Sequence, residues 1–307
     1  MRDIIFLFGA GASYGAGGVL PERPPLGYQL YPILERIYPG TWGGLPKNIK
    51  EAFYEGANFE LGMKLIYEQI GSSIPILMRD MAIYFIQFRP YNKSTLYCRL
   101  IQDLQKIGLI NRCLFSTLNY ECLIEYSLIE QGFSISYFDD ENSLTTPVWK
   151  LHGSCNMFAQ NIQLSQQVAY STGVVFEAGV QAFLDPNKVI QHCLAETGLA
   201  PVMCLYMEGK VLSVSPSNIK QLQQTWADRV NNAQAVFSIG VSPNSQDKHI
   251  WEPLGNADAP LYFVGDQLAL ENWQITSRTG STNFLDNKFD IAYPSLLRRL
   301  NSYATNC

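Results

Sequence analysis

Residues 4–8 read IIFLF, and the chain leaves this apolar run through GAGAS (9–13) and then YGAGG (14–18). A run that is apolar at every position marks a strand covered on both faces, as in a parallel sheet with helices above and below. Residues almost without side chains directly after it mean that something approaches the backbone closely there. Two readings fit. The turn can present backbone N–H groups to a pyrophosphate, with Ser13 adding a hydroxyl donor, or its glycines can permit tight strand–helix packing. This stretch alone leaves both open.

The same grammar recurs along the chain. CLFST (113–117) precedes LNYECLIEYSLIEQG, whose Leu123, Ile124, Tyr126 and Leu128 predict a helix ending near Gly132. AVFSIG (235–240) and PLYFVGD (260–266) are two more strand-like runs. Between 26 and 108 the pattern is helical, with apolar residues three and four apart in GYQLYPILERI, FELGMKLIYEQI, IPILMRDMAIYFIQF and TLYCRLIQDLQKIG. The expected fold is therefore α/β: a Rossmann-like, doubly wound, mostly parallel sheet in one domain spanning 1–307. A helical insertion occupies about 26–108, and a variable insertion occupies 154–210, the least legible region. The segment 47–108 is apolar enough to close a site or to form an oligomer interface, with core packing as the default.

Composition narrows the function. A formal net charge of -5 argues against binding nucleic acid by bulk electrostatics. No apolar run approaches the roughly 18 residues that cross a bilayer, so no membrane partner is expected. The N-terminus superficially resembles a signal peptide, but its apolar run is short and follows Asp3, so export is rejected and a cytoplasmic location expected. The cysteines, at 98, 113, 122, 155, 193, 204 and 307, show no pair at zinc-ribbon spacing; reduced thiols and no metal are expected. No acidic residue follows the glycines by about twenty positions in a recognisable second strand, which disfavours a hydride-transferring dehydrogenase.

Three further stretches carry polar groups where a doubly wound sheet binds its ligands, at the carboxyl ends of strands. In STLNYECLIE (116–125), Asn119 either caps the following helix or faces a ligand. In WKLHGS (149–154), His152 lies between a short strand and a glycine. It is either structural or, beside a nucleotide, a general base with a pKa near neutrality. In FSIGVSPNSQDKHIWEPL (237–254), Gly240 and Ser242 end a strand, Asp247 is a candidate helix cap, and His249 reads as helix surface. His192, in VIQHCLA, reads as structural.

Together and in this order, these stretches resemble the sirtuin superfamily, specifically its bacterial sirtuin-like branch. The resemblance rests on GAGAS, STLNYE, KLHGS, SIGVS and LPERPPLGYQL; its anchors run from 4 to about 266, though some forty residues carry the similarity. It implies a catalytic pair, Asn119 and His152. It also implies contacts to NAD+, the substrate, from Gly9, Ala10, Gly11, Ala12, Ser13, Asn119, Gly240, Ser242 and Asp266. The paired cysteines of a zinc module and the PDFR continuation of deacetylating sirtuins are missing, and Glu121 stands where an aspartate is usual. These departures resemble the branch that hydrolyses NAD+ to nicotinamide and ADP-ribose, often as effectors of anti-phage defence. The resemblance also allows an NAD+-dependent protein deacylase, and a module that binds NAD+ or ADP-ribose without catalysis is the rival outside enzymes. Because destroying NAD+ harms the host, control by homo-oligomerisation or by a partner such as a helicase/ATPase or an argonaute-like protein is expected.

Overall fold

Seven strands form one parallel sheet: β1 (Ile4–Phe8), β2 (Cys113–Thr117), β3 (Ser134–Ser136), β4 (Thr145–Lys150), β5 (Ala235–Ile239), β6 (Leu261–Val264) and β7 (Thr282–Asp286). Their order is β7-β6-β5-β1-β2-β4-β3, with every neighbouring pair parallel. The structure, a computed structural model, describes residues 3–55, 59–138, 144–160, 175–195, 199–205 and 212–304. The chain starts the sheet at β1, adds β2 beside it, skips to β3 at the edge and comes back to place β4 between them. It then returns to the other side of β1 for β5, β6 and β7. This is a doubly wound, Rossmann-like α/β fold, whose winding reverses between β1 and β5. A crevice opens at such a point because the connections on its two sides leave in opposite directions.

Burial on both faces explains why the central strands are apolar throughout. Ile4, Phe6 and Phe8 join one hydrophobic cluster while Ile5 and Leu7 join another, as the two-residue strand period requires. On the first face an aromatic band crosses four strands: Phe6 lies 5.5 Å from Phe115 and 5.2 Å from Phe237, and Phe237 lies 4.8 Å from Tyr262, ring centre to centre. On the second face the strands pack with Leu222, Trp226, Ile250, Leu254 and Leu270 from the helices Pro216–Asn231, Lys248–Asn256 and Gln267–Ser277. Trp226 Nε1 donates to Ser116 Oγ at 3.0 Å, and that hydroxyl donates to Phe6 O at 2.5 Å, so both of these side-chain groups are paired.

Between β1 and β2 lie the helices Gly27–Ile37, Lys47–Tyr54, Phe59–Ile70, Ile74–Phe85 and Leu96–Lys106. Their buried residues continue the cluster of the first sheet face, with Tyr31 and Phe53 stacked at 4.1 Å. In the poorly legible interval, Met157–Ala159 pairs antiparallel with Val180–Ala182, and the helix Pro186–Ala195 follows. The rest of that reading, over 161–174, 196–198 and 206–211, lies outside the described residues. The six described cysteines are buried and none of them is paired in a disulfide; Cys307 lies outside the described residues. Among the described residues no helix is long and apolar enough to cross a membrane.

Candidate functional site

Register brings the four motifs together. Phe8 pairs with Thr117 and with Ile239, Ile239 with Val264, and Thr117 with Lys150. Five strands therefore end at one level, and the residues that follow emerge side by side: Gly9, Asn119, His152, Gly240 and Asp266. They line one cleft of about 730 Å³ together with Ala10, Gly11 and Ser242.

The glycines have a reason the sequence could not supply. A Cβ on Gly9 would lie 2.5 Å from Gly240 O, and one on Gly11 would lie 2.9 Å from Gly240 Cα. Gly240 itself has φ +67°, and a Cβ there would meet Ala12 N. What approaches the first glycine turn is thus the backbone of the second, and hydrogen bonds seal the contact: Gly9 N donates to Ile239 O, and Gly11 N to Gly240 O, each at 3.0 Å. Gly240→Ala is expected to lower stability by at least about 2 kcal/mol, because the left-handed backbone alone costs roughly 1–2 kcal/mol per residue and the clash adds to it. The urea midpoint measures this.

Ala12 and Ser13, expected with the rest of 9–13 to contact the ligand, are buried and are not among the residues that line this cleft. The short helix Ala10–Tyr14 turns Ser13 inward, where its hydroxyl donates to Glu121 Oε1 at 2.5 Å and lies 2.8 Å from Tyr97 Oη. Burial pushes the Tyr97 phenol well up, so it stays uncharged. Gly9, Gly11 and Ala12 also use their amides within the protein, Ala12 N donating to Gly9 O.

Asn119 is not the cap of the following helix, Leu123–Ile129, which begins after Cys122. Its Nδ2 lies 3.0 Å from Gly9 O, 2.9 Å from Ser13 Oγ and 3.0 Å from Glu121 Oε1. A carbonyl and a carboxylate can only accept, so they determine which end of the amide is nitrogen. Asn119 Oδ1 is thereby the end not engaged by this network. Glu121 Oε2 accepts from Leu123 N at 2.6 Å, so the NYE turn is held from both carboxylate oxygens.

Beneath this turn lies an ion pair with no exposure on either partner. Lys150 Nζ is 3.2 Å from Glu125 Oε1 and donates to Glu121 O at 2.5 Å. Burial works against the Lys150 ammonium, but Glu125, Cys122, Glu121 and Cys155 outweigh it and raise its pKa. For Glu125, burial raises the carboxyl pKa more than Lys150 lowers it.

His152 sits at the cleft, 5% exposed. The glycine after it is required: Gly153 has φ +73°, and its Cβ position is occupied by Val202 O. His152 Nε2 lies 2.9 Å from His249 Nε2 and 3.5 Å from Asp247 Oδ1. His249, read from its spacing as helix surface, instead packs its ring 5.1 Å from that of His152. Asp247 does occupy the N-cap of Lys248–Asn256, but its side chain makes no cap hydrogen bond. The ligating atoms of His152, Asp247 and His249 all lie within 4.8 Å of one another, so the expectation of no metal, drawn from cysteine spacing, overlooked a His–Asp–His cluster. Asp266 lines the cleft while capping Gln267–Ser277, its Oδ1 accepting from Ala269 N at 3.0 Å. His192 lies elsewhere, 4.3 Å from the Phe158 ring. Sequence reading also missed Asn287 and Phe289 at the cleft, because they follow β7, a half-buried strand with a weak apolar signal.

Fold and cleft together define a doubly wound α/β protein with a ligand crevice at its topological switch point. No protein-family model matches the chain, and no curated protein matches it. Among solved structures the chain is similar to Sir2 in complex with the inhibitor EX-527, 2'-O-acetyl-ADP-ribose and a deacetylated p53 peptide. That match has 14% identity, covers 99% of this chain and 94% of that one, and gives a TM-score of 0.43. It is also similar to a structure reported on the mechanism and regulation of Sir2 enzymes, at 13% identity, 97% and 94% coverage and a TM-score of 0.45.

Proposed function

We propose that the chain is an NAD+ glycohydrolase, cleaving NAD+ with water to nicotinamide, ADP-ribose and a proton. One observation carries the reading. The motifs that resemble the sirtuin-like branch are scattered over more than two hundred residues of sequence, yet Gly9, Asn119, His152, Gly240, Ser242 and Asp266 line one cleft. Its volume of about 730 Å³ suits a dinucleotide.

The chemistry asks little of an acid, since the pyridinium leaves as neutral nicotinamide. Positive charge develops at the anomeric carbon of the ribose as that bond breaks. Asn119, with its Nδ2 pinned by Gly9, Ser13 and Glu121, offers Oδ1 as a fixed dipole for that charge or for the attacking water. The proton released as water attacks goes to the His152–His249 pair. Asp266 keeps Oδ2 for a ribose hydroxyl while Oδ1 caps its helix. With the Gly9, Gly11, Ala12 and Gly240 amides engaged inside the protein, the pyrophosphate falls to Ala10, Val241 and Ser242.

By the same resemblance the setting is anti-phage defence in the cytoplasm, with activity held back until the chain assembles with its own copies or a partner. Chromatography of NAD+ incubated with the purified chain, with and without an acetylated peptide, tests the activity. Nicotinamide and ADP-ribose are expected without peptide. Products that require the peptide would replace the reading with a deacylase, and tight NAD+ binding with no turnover in any assembly would replace it with a binding module.

A further inference from the structure

We propose that His152, Asp247 and His249 form a binding site for a divalent transition-metal ion, Zn²⁺ being the best match, and that its occupancy silences the cleft. The silencing, but not the binding, rests on the glycohydrolase reading.

The geometry departs from that of a simple hydrogen-bonded pair. An imidazole nitrogen has a single in-plane direction for a proton or a lone pair. His152 Nε2 nevertheless faces two groups, His249 Nε2 at 2.9 Å and Asp247 Oδ1 at 3.5 Å, and the second is too far for a hydrogen bond. Three Lewis bases gathered around a common point describe a coordination shell. With metal–ligand bonds of about 2.0–2.2 Å and tetrahedral angles, two donors sit about 3.3 Å apart. The two separations from His152 Nε2 lie within a few tenths of an ångström of that, and the third, between His249 and Asp247, is within 4.8 Å.

Local backbone makes the convergence possible. Residues two apart on a helix ordinarily point to different faces. Asp247, however, precedes the helix with φ -94° and ψ 50°, so its carboxylate turns toward the side that His249 occupies. Asp247 is buried, and its carboxylate stands at the N-cap without making a cap hydrogen bond. Imidazole and carboxylate donors select zinc, cobalt or nickel over magnesium and calcium, which prefer oxygen alone. His152 and Asp247 both line the cleft, so a fourth ligand position faces it, as at an open zinc site. With an ion in place the Nε2 lone pairs are engaged and cannot take the proton released in NAD+ cleavage.

Optical titration of the purified chain with Co²⁺, followed by displacement with Zn²⁺, tests the binding without any turnover. One Co²⁺ per chain is expected, with tetrahedral d–d bands and no thiolate charge-transfer band, which separates this site from the cysteines. Affinity should fall at least ~10-fold in His249→Ala and in Asp247→Asn, the size even outer-shell changes produce, and stay unchanged in His192→Gln. Absence of stoichiometric binding, a thiolate band, or binding indifferent to both site variants would overturn the site. In the activity arm, Zn²⁺ at the filling concentration should suppress nicotinamide release and a chelator should restore it. Full activity with the site filled would overturn the silencing alone, and a chain that binds Co²⁺ but never cleaves NAD+ would overturn the glycohydrolase reading alone.

Discussion

His152→Ala is expected to lower nicotinamide release from NAD+ by about 100- to 10,000-fold, the usual weight of a positioned acid–base group. The loss should fall on kcat rather than KM, because His152 lies at one end of the cleft, while Ala10, Gly240 and Asp266 on its other walls keep their contacts with the rest of the substrate. The fold should survive. The backbone around His152 is held by Gly153, whose N donates to Lys150 O, and by Cys204 N, which donates to His152 O; neither bond uses the ring. Asn119→Ala should impair turnover as well, while freeing acceptors on Gly9, Ser13 and Glu121 that its amide now satisfies. Steady-state kinetics beside a thermal melt separate the two effects. Unchanged turnover in His152→Ala would remove it from the mechanism.

Lys150→Met should destabilise the fold by about 3–5 kcal/mol, since removing one partner of a buried ion pair leaves the other uncompensated. Both side chains are wholly buried, so water cannot replace the ammonium beside Glu125. The variant also removes the donor to Glu121 O, directly beneath the turn that holds Asn119. Lys150→Met/Glu125→Leu should recover most of the loss, because replacing a buried pair by apolar groups is often neutral. The pH dependence has a definite sign. Burial already raises Glu125, and Lys150 is the largest influence lowering it, so removing Lys150 raises the folded carboxyl further. A folded pKa above the unfolded one stabilises at low pH, and the contribution fades as pH rises through the folded value. The deficit of Lys150→Met should therefore be smaller at pH 5 than at pH 8, as urea midpoints would show.

The strands β1, β2, β5 and β6 were legible because both of their faces are covered, which makes the runs apolar at every position. The same physics hid β3 and β7, whose residues are only partly buried and carry the polar residues of sheet edges. The helices between 27 and 106 were visible through their apolar periodicity, since each turns one face to a shared core. The interval from 154 to 210 was less so, because its two described strands have only three residues each.

At the cleft, the sequence pointed to Asn119, His152 and the two glycine turns because each follows an apolar strand run. Sequence by itself thus determined a mostly parallel sheet and the residue types that follow its strands. It could not determine what presses on the glycines, which way Ser13 turns, or that His249 meets His152. Those are contacts between segments about 100 to 230 residues apart, set by the register of β1 against β2 and β5 and by the packing of Lys248–Asn256 on the second sheet face. Periodicity reports how a residue sits on its own element. Only packing decides which other element it faces.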